Sequence, residues 1–116
     1  MQMPKPTEAD KETFRALVPD DPRVSVKPMF GNLGAFVNGN MFMGLFGSDV
    51  GVKLAPEDAA ELLAVGGAGP FGPAERPMSG YVALPPTYVA GPEGKVWVAR
   101  ALEHVAALPA KEAGRR

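Results

Sequence analysis

The sequence predicts an α+β domain: an antiparallel, strongly bent sheet of about five strands with flanking helices, in the order α-β-β-β-β-α-β-α. Three observations predict it. Between residues 24 and 54, short apolar runs are separated only by turn residues. Links that short join antiparallel neighbours, because parallel strands need a crossover of a dozen or more residues. Segments at both ends and one in the middle carry apolar residues at helical spacing. The chain has 116 residues, enough for one core and too few for a second.

The first helix starts near Thr7, with Asp10 three residues on as a capping partner. Phe14, Leu17 and Val18 form its apolar stripe, with Lys11, Glu12 and Arg15 toward water. Pro19 and Pro22 around Asp20-Asp21 end it. Val24 to Phe30 alternates and stops at Gly31-Asn32. Leu33 to Val37 is the second run, and Asn38-Gly39 is a strong hairpin signal. Met41 to Phe46 is the third run. Within it, strict alternation puts Met41, Met43 and Leu45 on one face and Phe42 and Phe46 on the other. Gly47-Ser48-Asp49 turns into Val50 to Leu54. A sheet apolar on both faces must be covered on both. The Gly/Pro-rich loops complete that cover, or a second copy of the chain does, and we expect a homodimer.

Pro56 opens the second helix, where its missing N–H costs nothing, and Glu57 and Asp58 suit the positive end of the dipole. Ala59, Leu62 and Leu63 form its buried stripe, and Gly66-Gly67 stops it. Ala68 to Glu75 reads as an ordered loop anchored by Phe71. Met78 to Leu84 is the fifth strand, closed by Pro85-Pro86. The last helix runs from Pro92 or Glu93 to Leu108, with Val98, Ala101, Leu102, Val105 and Leu108 on one face. Residues 1–6 and 110–116 read as flexible tails of a single domain spanning 1–116. Gly34, Gly44, Gly51 and Gly80 fall inside predicted strands, where glycine marks a bulge, a bend or close approach by another group.

Composition removes several function classes. Cysteine is absent, so disulfides, thiolate metal sites and cysteine nucleophiles are excluded. The one histidine, His104, cannot build a multi-histidine metal site and reads as a helix-surface residue. Ser25, Ser48 and Ser79 lack a nucleophile-elbow setting. Gly31-x-x-Gly34 and Gly66-Gly67-x-Gly69 lack phosphate-loop spacing. Asp20-Asp21 and Glu57-Asp58 fit turn and helix-start duty. The net charge of −1 gives no general pull toward nucleic acid. No apolar stretch nears the roughly 20 residues needed to span a bilayer. No apolar signal core follows Met1-Gln2-Met3-Pro4-Lys5-Pro6, so a cytoplasmic location is expected.

Three cations remain as candidate contacts for an anion or a partner: Lys27, Lys53 and Arg76. Pairing of the strands as predicted puts Lys27 and Lys53 on the same side as Ser25 and Gly51. Arg76, at the start of the fifth strand, would join them at one edge. The bland alternative is that they are solvated strand positions that discourage edge pairing.

Two tracts carry a family likeness. One is Val24-Ser25-Val26-Lys27-Pro28-Met29-Phe30-Gly31, followed by Leu33-Gly34-Ala35-Phe36-Val37-Asn38-Gly39 and Met41-Phe42. The other is Arg76-Pro77-Met78-Ser79-Gly80-Tyr81 with Leu84-Pro85. With Trp97 and Ala101 on the terminal helix, these landmarks resemble, in order, the N-terminal domain of the TfoX/Sxy family over roughly residues 10–108. The resemblance implies a small α+β domain with no established enzymatic activity, and it supplies no catalytic, cofactor-binding or metal-binding residue. Longer family members are competence regulators with a second, helix-rich domain, and this sequence resembles a stand-alone version. The expected function is a non-enzymatic regulatory or protein-interaction domain. It would act through the sheet edge or an apolar face, with Lys27, Lys53 and Arg76 tuning partner choice. The alternatives are an anion or nucleic-acid binding module built on those three cations, and an enzyme acting on a small substrate.

Overall fold

The computed structural model describes residues 5–29, 31–73 and 75–110. Helix α1 (Glu8–Leu17) begins with a complete capping box. The Thr7 hydroxyl accepts from the Asp10 N–H at 3.0 Å, and the Asp10 carboxylate accepts from the Thr7 N–H at 2.8 Å. Strands β1 (Val24–Met29), β2 (Asn32–Val37), β3 (Asn40–Phe46) and β4 (Asp49–Lys53) form the expected antiparallel meander. Asn38 and Gly39 both have positive φ, 54° and 80°, as the two-residue turn between β2 and β3 requires. Helix α2 (Pro56–Leu63) follows, then β5 (Gly69–Pro70), β6 (Tyr81–Ala83), α3 (Pro86–Ala90) and α4 (Glu93–Ala106). The sheet is open, with spatial order β1-β2-β3-β4-β6-β5 and antiparallel pairs throughout.

One face of this sheet makes the core. Leu33, Ala35 and Val37 from β2, Met43 and Leu45 from β3, and Val50 and Val52 from β4 lie under α4, with Val82 of β6 beside them. Helix α4 answers with Trp97, Val98, Ala101, Leu102 and Val105, while α1 adds Phe14 and α2 adds Leu62. Each large side chain buried this fully contributes about 1.5–3 kcal/mol. The Arg100 guanidinium stacks over Trp97 at 4.4 Å and pairs with Asp58 and Glu61 at 3.5 Å, tying α4 to α2. Among the described residues no helix is long and apolar enough to cross a membrane.

The structure corrects several expectations. The sheet has six strands: Gly69–Pro70, read as loop, pairs with β6 and leads straight into Phe71. Residues 78–80 lie outside β6, so Gly80 (φ +85°) is a turn residue, not a strand residue. Pro85-Pro86 does not merely close a strand. With φ already fixed, Pro86 starts α3. Leu63 is not part of the α2 stripe and is half exposed. The alternation in β3 also breaks. Ala35 pairs with Met43 but Phe36 pairs with Met41, so Phe42 is an extra residue in a β-bulge. Phe42, Met43 and Leu45 therefore share the core side, while Met41 and Phe46 lie on the opposite one. The expected tails lie largely outside the described residues.

Arg23 ties the turn before β1 to α4. Its guanidinium reaches Asp21 at 2.8 Å and Glu103 at 3.0 Å. Hydrogen bonds from the Arg23 side chain and backbone hold the Asp21 carboxyl at about 2. A carboxyl depressed on folding stabilises the native state above its unfolded value, about 3.9, and that contribution is lost as pH falls through about 2. Asp21→Asn is therefore expected to flatten the loss of stability between pH 4 and pH 2, read as urea midpoints. A slope equal to that of the parent would show that this pair carries none of it.

Candidate functional site

On the face away from α4, three glycines stand in register. Gly34 pairs with Gly44, Gly44 with Gly51, and Gly51 with Ala83. Alternation places them there because Leu33, Ala35, Leu45, Val50 and Val52 take the core side. The result is a lane without side chains running across β2, β3 and β4. Phe71 lies down in it. A Cβ built on Gly51 would stand 2.2 Å from Phe71 Cγ, so only glycine admits the ring. Phe71 is 2% exposed, and its ring meets Phe46 edge-on at 6.2 Å and Tyr81 at 6.1 Å. The loop that carries it is pinched shut: the Met78 N–H donates to the Phe71 carbonyl at 2.8 Å. At the other end of the lane, Met29 Sδ, Met41 Sδ and the Phe36 ring crowd Gly34, each 3.0 Å from where its Cβ would be. Close packing thus accounts for the strand glycines, and Phe71 is the loop anchor that the sequence predicts.

Two cavities remain under and beside the loop. The first, of about 190 Å³, is apolar and includes Phe46, Phe71 and Pro73 in its wall. The second, of about 300 Å³, includes Phe36, Lys53 and Tyr81. Both are lined by Met29, Met41 and Met78. Burial raises the Tyr81 phenol above its usual range, and its hydroxyl donates to the Met41 carbonyl at 2.8 Å. That bond fixes β6 to β3 across the intervening strand, and the phenol remains protonated at neutral pH. Asn32 lines the first cavity and is the buried polar residue of the described core. Its Oδ1 accepts from the Gly47 N–H at 2.8 Å.

Lys27 and Lys53 do share this face, with Ser25 and Gly51, as the strand register predicts. They sit on β1 and β4, with backbones three strand spacings or roughly 14 Å apart. Each ammonium lies over a ring, Lys27 on Phe36 at 5.4 Å and Lys53 on Tyr81 at 5.6 Å. Among the described residues neither makes an ion pair. Arg76 does not start a strand. It is exposed on the loop, five residues before β6. His104 is half-buried on α4, across the sheet from this face. Among the described residues no three His, Asp or Glu side chains stand together as metal ligands.

The convergence of Met29, Met41 and Met78 is the feature that sequence reasoning missed. Four methionines lie beyond residue 3, and three of them line these cavities while Met43 enters the core. An apolar residue count carries no such information, because the bulge decides which side Met41 takes. In comparisons with known proteins, the family model described as TfoX N-terminal domain matches residues 12–105. No curated protein and no solved structure matches the chain.

Proposed function

The chain belongs to the TfoX N-terminal domain family, a non-catalytic one, and from that membership we propose a regulatory module that holds a protein partner on the open face of its sheet. The observation that carries this reading is the make-up of the face. Its apolar surface is built from methionines and aromatic rings, and a cation stands on each flank. Thioether side chains adapt to varied apolar partners, and flanking charges select among them by sign. The free edge is a poorer docking place. Strand β1 carries Lys27 and Pro28, which add charge and remove a backbone donor, two features that discourage strand addition.

A photo-crosslinking residue at Phe36, on the open face, and another at Val96, exposed on α4, test this in cells. Position 36 should yield a reproducible protein adduct that Lys27→Glu with Lys53→Glu abolishes, and position 96 should not. Equal adducts from both positions, or adducts to nothing but a second copy of the chain, would overturn it.

A further inference from the structure

The geometry points to a ligand site in the slot beneath the loop of residues 71–78, for a monoanionic amphiphile: an unbranched apolar chain ending in a carboxylate. Two cavities adjoin across Met29, Met41 and Met78, which line both, and a ligand that spans them passes between these flexible side chains. The first alone, about 190 Å³, is smaller than the roughly 300 Å³ at which small-molecule pockets begin. Joined to the second, of about 300 Å³, it falls within their range. A ligand that enters the first cavity must therefore extend into the second.

The two ends ask for different chemistry. Leu33, Leu45, Phe46, Phe71 and Pro73 wall the inner end, which offers an apolar chain a dry surface and a carboxylate nothing to bind. Flexible thioethers in the middle conform to a methylene chain better than branched side chains do. The outer end holds one charged residue, Lys53, half-buried, with no ion pair among the described residues. An ammonium in that state gains from a carboxylate. Charge also sets the direction. Asp49, exposed and outside both cavity walls, shares the Lys53 face of β4 and pairs with Phe46 beside the inner end, so the charge that favours an anionic head is the Lys53 one. Asp49 and Lys53 are four strand residues or roughly 14 Å apart, the span of an acid of about ten carbons.

This goes beyond the protein-partner reading, since a chain in the slot needs no protein on the face. The test is calorimetric titration with decanoate, decanol and decylammonium below their micelle concentrations, on four full-length proteins. The parent should bind decanoate about tenfold more tightly than decanol, and decylammonium most weakly. Lys53→Met should bring decanoate down to the decanol affinity, and Lys53→Glu should make decylammonium the preferred ligand. Met78→Trp, on the loop, should fill the slot and weaken decanoate and decanol alike by tenfold or more. The Lys53 variants change a half-buried residue at the end of a strand and carry the test alone if Met78→Trp does not fold. No saturable binding to the parent, or three equal affinities that Lys53→Glu leaves unchanged, would overturn the proposal. Either result leaves the crosslinking outcome at Phe36 free to stand or fall by itself.

Discussion

Gly51→Ala is expected to destabilise the protein by about 2–3 kcal/mol, an unusually large effect for one methyl group on a strand. The new Cβ would stand 2.2 Å from Phe71 Cγ and 2.4–2.5 Å from both Cδ atoms, so the ring must leave its seat. Phe71→Ala, which empties that seat, should cost about 3–5 kcal/mol. The informative measurement is the double variant, by urea unfolding. With the ring gone, the methyl of Gly51→Ala meets space, so the pair should cost clearly less than the sum of the two single changes. Additivity within about 0.5 kcal/mol would mean that Phe71 is not what excludes a side chain from position 51. The same double variant bears on function, because Phe71 walls the inner cavity.

The second large effect is expected at Asn32. Its side chain is 3% exposed and links two turns that are 15 residues apart, accepting the Gly47 N–H at the β3–β4 turn. Asn32→Ala removes the acceptor and leaves that buried N–H without it, at a cost of about 1–3 kcal/mol. Asn32→Asp discriminates between a hydrogen-bonding and a packing role. It keeps an acceptor but buries a charge, and burial raises a carboxyl's pKa. A carboxyl raised on folding penalises the native state while ionised, so Asn32→Asp should be weak at neutral pH and regain stability as pH falls through the raised value. A variant as stable as the parent at pH 7 would contradict this account of the site.

Much of the fold was legible because its determinants are local. The capping box at Thr7 and Asp10, the Asn38-Gly39 turn and the proline start of α2 each depend on residues within a few positions of one another. The meander was legible for the same reason, since two-residue links leave no other topology. The shared side of Lys27 and Lys53 followed from the strand period, and the two strands between them followed from the meander. Arg76 was misplaced because the stretch Met78 to Leu84 after it reads as strand, while the Met78-to-Phe71 hydrogen bond holds its first residues as a loop.

By itself, then, the sequence determined the α+β class, the antiparallel order of β1 to β4, the flanking helices α1, α2 and α4, and the family. The tertiary structure alone decided what the other face is. One inserted residue, Phe42, inverts the side-chain parity of β3 and sends Met41 to the open face, and a period of two cannot register an insertion. The contacts that then build the slot join distant positions: Phe71 on Gly51, the Tyr81 hydroxyl on the Met41 carbonyl, Asn32 on Gly47. Hydrogen-bonding and packing partners 15 to 40 residues away leave no periodic trace in a single chain. They exist only once the sheet has brought their strands side by side.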